Sequence, residues 1–227
     1  MAYTTIDNPE LYFQSKTYTG NSGTQSITLD GSENMQPDWV WCKKRSATGS
    51  HLVFDSVRGA TNRLIPDGTN AEGSNSNMLT SFNSNGFSLG NDADINGNTV
   101  TFVSWNWKED ATAGFDIVSY TGNATARTIS HSLSAVPHWI IVKPRDSGSE
   151  GWSVYHHKIA SDPETDVIRL DEANAKFDNA GYWNDTAPTS SVFTVNNYAG
   201  TNGNGNNMIA YCFAEKTGYS KFGSYIG

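Results

Sequence analysis

Tyr18-Thr19-Gly20-Asn21 returns as Tyr120-Thr121-Gly122-Asn123, and Pro37-Asp38-Trp39-Val40-Trp41-Cys42-Lys43-Lys44-Arg45 returns as Pro137-His138-Trp139-Ile140-Ile141-Val142-Lys143-Pro144-Arg145. A third pair follows in the same order: Val103-Ser104-Trp105-Asn106-Trp107-Lys108-Glu109 and Ile209-Ala210-Tyr211-Cys212-Phe213-Ala214-Glu215. Three matches in one order, each displaced by roughly 100 positions, describe a duplicated unit rather than a solenoid, whose period is about 20–50 residues. A unit of roughly 100 residues buries a modest core of its own. The boundaries expected from the matches are an N-terminal arm over residues 1–14, a first repeat over 15–114 and a second over 115–227. Residues 221–227 resemble the stretch 116–122 and read as the opening strand of a further repeat.

Working outward from the quoted stretches, the signals are those of strands. In Trp39 to Lys44 and in Trp139 to Lys143 apolar residues occupy both alternating faces, as in a central strand covered on two sides. Val103, Trp105 and Trp107 share one face of a long strand, and Ile209, Tyr211 and Phe213 share the matching face. Shorter strand signals fall between them, separated by Asn-Gly pairs at 85–86, 96–97, 202–203 and 204–205 that suit tight hairpin turns. One short helix is expected, over residues 170–177. The fold class that follows is all-β: two tandem homologous antiparallel β-sandwich units of jelly-roll or lectin-like type with little helix.

Composition narrows the partners. Asp and Glu number 23 against 15 Lys and Arg, for a net charge of −8. Nucleic acid and anionic membranes reward a basic face, so neither is expected as a partner. Residues 1–10 carry no basic start and no apolar run, unlike a signal peptide. No run approaches the roughly 18 apolar residues of a membrane span, so membrane insertion is not expected. The two cysteines, Cys42 and Cys212, face Val142 and Asn106 as repeat counterparts and read as reduced thiols.

Several patterns invite catalysis and fall short of it. Glu164-Thr165-Asp166-Val167-Ile168-Arg169 approaches a glycosidase strand that needs a second carboxylate where Arg169 stands. Asp92, Asp94 and Asn96 match the opening of an EF-hand loop, but the twelfth position, where a bidentate Glu is needed, is Val103. They form a weak calcium candidate beside the preferred reading as turn residues. His156 and His157, adjacent on a strand, point to opposite faces and do not share an ion. No catalytic residue and no cofactor is expected. Binding remains. A sugar needs an aromatic platform and amides or carboxylates for its hydroxyls. Tyr182, Trp183, Asn184 and Asp185 offer both within a few positions, with Asn202 and Asn204 on a later loop and Trp152 and Tyr155 on a neighbouring strand. The competing reading makes the aromatics core and the Asn residues turns. The basic stretches Lys43-Lys44-Arg45 and Lys143-Pro144-Arg145 read as solvated strand ends or as bridges to acidic loops of a neighbouring chain.

Longer motifs carry a family resemblance. The chain opens Met1-Ala2-Tyr3-Thr4-Thr5-Ile6-Asp7-Asn8-Pro9 and continues with Leu52-Val53-Phe54-Asp55-Ser56-Val57-Arg58-Gly59-Ala60-Thr61, Ser84-Asn85-Gly86-Phe87-Ser88-Leu89-Gly90 and, near its end, Ala210-Tyr211-Cys212-Phe213-Ala214-Glu215. These resemble tail-fibre-like virion proteins of marine and aquatic bacteriophages, built of lectin-like (concanavalin A-like) β-sandwich repeats, over essentially the whole chain. The resemblance implies a virion location after assembly in the host cytoplasm. It implies other tail or virion subunits as partners, a host-surface glycan as a possible ligand, and a homo-oligomer, with a trimer favoured as in fibres. The function expected is host attachment without enzymatic activity. A capsid-decorating or spacer protein is the alternative, and a polysaccharide depolymerase is the least favoured reading.

Overall fold

The computed structural model describes residues 4–225. It is all-β, with antiparallel sheets and three four-residue helices among the described residues. No helix among them is long and apolar enough to cross a membrane. The chain divides into two compact units, one of residues 8–67 and 72–109, the other of residues 110–225 together with 4–7 and 68–71.

In the N-terminal unit a single 3₁₀ turn, Pro9–Leu11, precedes β1 (Phe13–Thr19), β2 (Gln25–Thr28), β3 (Trp39–Lys44), β4 (Leu52–Asp55), β5 (Asn62–Arg63), β6 (Gly73–Ser74), β7 (Leu79–Asn83), β8 (Gly86–Leu89), α1 (Ala93–Asn96) and β9 (Thr101–Trp107). One sheet runs β1-β9-β3-β4, a second runs β2-β8-β7, and β5 pairs with β6. Alternation sends Val40, Cys42, Leu52, Phe54 and Phe102 from the first sheet and Ile27, Phe87, Leu89 and Leu79 from the second into one buried cluster. Phe54, Phe87 and Phe102 are fully enclosed, each contributing about 2–3 kcal/mol of apolar transfer. As β3 lies between β9 and β4, its two-sided apolar pattern is that of an interior strand.

The C-terminal unit comprises β10 (Phe115–Thr121), β11 (Arg127–Ser130), β12 (Trp139–Pro144), β13 (Ser153–His156), β14 (Asp166–Arg169), β15 (Phe177–Asp178), α2 (Ala180–Trp183), β16 (Val192–Val195), α3 (Ala199–Asn202) and β17 (Asn207–Phe213). Its large sheet is β10-β17-β12-β13-β14-β15, and β11 pairs with β16. Ile140, Val142, Met208 and Cys212 pack with Ile129, Phe193 and Val195 in the core of this unit.

Two local expectations are corrected. The helix expected over 170–177 is a turn leading to β15, because the Asp171 carboxylate accepts the Trp152 N–H at 2.7 Å and fixes an irregular backbone there. Of the four Asn-Gly pairs, Asn85-Gly86 closes the β7–β8 hairpin, with Gly86 at φ 114°. The pairs at 96–97 and 202–203 instead end α1 and α3, with Gly97 and Gly203 as C-caps. Residues 226 and 227, part of the expected opening strand of a further repeat, lie outside the described residues, and residues 221–225 carry no strand.

Candidate functional site

The repeated Tyr-Thr-Gly-Asn has one task in both units. The Tyr18 hydroxyl donates to the carbonyl of Ile95 at 2.9 Å, and that of Tyr120 to Thr201 at 2.6 Å. Each thus satisfies a carbonyl of a short helix that has no helical partner. Gly20 and Gly122 run against the turn that follows that helix. A Cβ on Gly20 would sit 2.2 Å from the Gly97 carbonyl oxygen, and one on Gly122 2.1 Å from that of Gly203. Asn21 and Asn123 then meet Asn96 and Asn202. The Asn96 Oδ1 accepts the Asn21 N–H at 3.0 Å, and its Nδ2 donates to Asn21 Oδ1, Gly23 O and Gly90 O. Asn202 Oδ1 accepts the Asn123 N–H at 3.0 Å, and its Nδ2 donates to Asn123 Oδ1, Thr125 O and Asn196 O. Both amides are fully buried.

This geometry corrects much of the expected sugar site. Asn202 is a buried latch whose donors and acceptor are engaged inside the fold. Tyr182 and Trp183 sit on α2 and turn inward, 2% and 3% exposed, and Tyr155 on β13 packs edge-on against Trp183 at 6.1 Å. Trp152 is 1% exposed. An aromatic platform must offer a ring face to solvent, and all four rings lie in the interior. Asn184, Asp185 and Asn204 are exposed, with Asn184 at φ 57° and Asp185 at φ 44° closing the turn after α2.

The calcium candidate separates in the same way. Asp92 caps α1 and accepts the Asp94 N–H and the Asn75 amide, both at 2.8 Å. Asp94 pairs with Lys44 at 2.8 Å, and Asn96 is the latch. No group of three His, Cys, Asp or Glu among the described residues is arranged to hold a metal ion.

The other motifs hold loops. Asp38 Oδ2 accepts the Glu109 N–H at 2.9 Å; in the C-terminal unit His138 Nδ1 accepts the Glu215 N–H at 3.1 Å. That bond needs an unprotonated Nδ1. Burial first, then the neighbouring His157, holds the His138 pKa below the ordinary value. His157 Nε2 stands 2.7 Å from the Phe222 carbonyl and 3.5 Å from Glu215 Oε1, which in turn accepts the Phe222 N–H at 2.9 Å. Lys143, expected at a solvated strand end, is fully buried. Its ammonium donates to the carbonyls of Pro144, Ser147 and Glu150 at 2.8, 3.0 and 2.8 Å, and burial lowers its pKa to about 8. Lys43 makes the matching bond to Gly49 O. Arg169, at the position where the glycosidase pattern needs an acid, donates to the hydroxyls of Tyr182 and Tyr198 at 3.2 Å each. Cys42 and Cys212 are free and buried, and burial raises the Cys42 thiol to about 12.

One site was missed by the sequence reading. A cavity of about 270 Å³ in the N-terminal unit is lined by Lys44, Ser50, Leu52, Arg63, Ile65 and Asp94. The loop that brings Arg63 there is fixed by the buried pair Arg58 Nε to Asp55 Oδ2 at 2.5 Å, with Arg58 Nη1 to Glu72 at 3.0 Å and to Asn62 O at 2.9 Å. Leu52-Val53-Phe54-Asp55-Ser56-Val57-Arg58 stood out in sequence as part of the family resemblance; that it carries Arg63 toward Lys44, nineteen positions earlier in the chain, was not legible.

A comparison with protein families matches residues 8–227 to a domain of unknown function, DUF7483. No curated protein and no solved structure matches the chain. With all but its first few residues covered, the chain belongs to the DUF7483 family.

Proposed function

We propose that the chain is a non-enzymatic component of a phage virion, a tail-fibre or adhesin subunit of two tandem homologous lectin-like β-sandwich units that contributes to attachment at a host-surface glycan. The observation that carries this reading is a scaffold made twice and furnished differently. The Tyr-Gly-Asn latch, the strand order β1-β9-β3-β4 against β10-β17-β12-β13, and the clamp at Asp38 or His138 recur. The connections over residues 56–85 and 157–191, from β4 to β8 and from β13 to β16, differ in length and in content. Loops on a rigid frame are where binding surfaces are built, and a fibre repeats weak sites until avidity makes them sufficient. The engagement of Arg169 by two tyrosine hydroxyls supports the non-enzymatic part.

Other tail subunits are the expected structural partners, and a homotrimer is the expected assembly. Light scattering on the eluting full chain, followed by glycan-array and host-cell binding, tests the reading. A trimer that binds cells supports it; a chain that binds no host cell and no glycan in any assembly overturns the attachment role. The interior position of Trp152, Tyr155, Tyr182 and Trp183 favours a second reading, a capsid-decorating or spacer protein without ligand. Immunogold label on capsid facets and none on the tail decides for it.

A further inference from the structure

We propose that the cavity between Lys44 and Arg63 is a binding site for the carboxylate of an acidic sugar residue, a uronate, and that it is the ligand-reading site of the N-terminal unit. The charges are the first argument. Lys44 and Asp94 form a pair, with the Lys44 side chain 12% and that of Asp94 65% exposed. Arg63 adds a second cation that has no carboxylate partner among the described residues, its guanidinium lying 4.0 Å from Met78 Sδ. Two cations against one carboxylate leave one positive charge in the cavity, the complement of a single anionic group.

The guanidinium is also oriented in advance. Arg63 faces Gly73 across the β5–β6 pair, and a Cβ on Gly73 would lie 3.1 Å from Arg63 Cζ. The planar group therefore rests over bare backbone. A fixed planar fork suits two parallel hydrogen bonds to a carboxylate. Around it the lining matches the remainder of a pyranose: Leu52 and Ile65 supply an apolar wall for a C–H face, while Ser50 and the outer Asp94 oxygen accept hydroxyls.

The duplicated frame does not require these groups. By register, Lys44 pairs opposite Phe102 as Pro144 pairs opposite Met208. Leu64 bridges Val53 as Ile168 pairs with Val154, which puts Val167 at the position of Arg63. Counting back from the latch residues Asn96 and Asn202 puts Gly200 at the position of Asp94. The C-terminal unit thus builds the same scaffold with Pro144, Val167 and Gly200, and the three charged side chains are additions to it.

This site rests on the attachment reading, and the experiment separates the two. Calorimetry and ligand-observed NMR on the full chain would use glucuronate and oligogalacturonate, with glucose as the neutral analogue and acetate and inorganic phosphate as simple anions. The uronates are expected to bind, glucose not at all, and acetate and phosphate at least tenfold more weakly than the uronates. Arg63→Gln is expected to weaken uronate binding at least tenfold. Gly73→Ala keeps every charge and displaces the guanidinium, and is expected to weaken it severalfold; it guards against a folding defect in the first variant. Uronate binding unchanged in both variants overturns the site, and equal binding of phosphate overturns the sugar as its ligand. Host-cell binding that survives Arg63→Gln overturns this site while leaving attachment standing. Uronate binding by a chain that never binds cells overturns attachment alone.

Discussion

Asn202 and Asn123 bond to each other in both directions: the Asn202 Oδ1 takes the Asn123 N–H at 3.0 Å, and the Asn202 Nδ2 gives a proton to Asn123 Oδ1 at 3.1 Å. Asn96 and Asn21 do the same at 3.0 and 3.2 Å. Removing either buried amide takes the side-chain donor from backbone carbonyls, of which that of Gly90 is buried. Asn202→Ala and Asn96→Ala are each expected to lower unfolding free energy by about 2–4 kcal/mol, read from urea midpoints. Asn202→Asp, which sets a carboxylate against three acceptors, is expected to cost at least as much. A loss under 1 kcal/mol in both alanine variants removes the latch from the stability account.

Gly122→Ala and Gly20→Ala test the adjacent close approach. Each new Cβ meets a backbone oxygen near 2 Å, and backbone on both sides must give. A loss of more than about 2 kcal/mol is expected, larger than the usual cost of an exposed glycine replacement in a strand. Unchanged thermal midpoints would show that the turn after the helix moves freely.

Acid is expected to destabilise the molecule from about pH 6.5 downward. His51, His131, His138 and His156 all have pKa values lowered from 6.5, burial being the leading cause in each. The unfolded chain takes up protons near the ordinary histidine value while the native state resists, so stability is full above it and is lost as pH falls through the lowered values. His138 faces His157, Lys158 and Glu215. His138→Asn keeps an acceptor for the Glu215 N–H and titrates nothing, so its urea midpoint should fall less between pH 7 and 5. An identical slope in the variant refutes a role for His138.

Lys143 works in the opposite range. Its folded pKa of about 8 lies below the ordinary 10.5, so between these values the unfolded chain holds a proton that the native state releases. The contribution of this lysine to stability therefore rises with pH across that window. The stability difference between wild type and Lys143→Met is expected to widen in favour of wild type by about 1–2 kcal/mol from pH 8 to 10. A constant difference would mean that the ammonium keeps an ordinary pKa.

Trp183→Ala is expected to cost about 3–5 kcal/mol through the cavity it leaves. Its indole Nε1 is buried without a hydrogen-bond partner among the protein atoms described, so Trp183→Phe should cost much less. A loss of glycan binding in Trp183→Ala would report unfolding, not contact; a variant that stays folded and loses binding would return the ring to the ligand.

The all-β class and the succession of strands along the chain were legible because they rest on period-two patterns and on a repeat displaced by roughly 100 positions; the order of those strands within each sheet was not. The duplicated Tyr-Thr-Gly-Asn was legible as a repeat, but its reason was not: the partner of Asn21 is Asn96, far along the chain, and nothing local marks an Asn-Gly as a latch rather than a turn. The same gap misplaced the sugar platform. Tyr182 and Trp183 sit beside Asn184 and Asp185 in sequence, and only the short helix α2 decides which pair turns inward. Nothing in the sequence singles out Arg63, which lines one cavity with Lys44 and Asp94.

The latch gives the molecule a chemical memory. Asn followed by Gly is the sequence most prone to deamidate, by attack of the next backbone nitrogen on the side-chain amide. In the folded chain the amides of Asn96 and Asn202 are clamped and dry, while Asn204-Gly205 lies exposed. Ageing of the native protein should therefore mark Asn204 and spare the other two. An episode of unfolding frees Asn96 and Asn202 to react, and once either becomes Asp or isoaspartate the carbonyls it served have lost their donor. A unit left unfolded for longer than the lifetime of one amide should therefore refold to a less stable form.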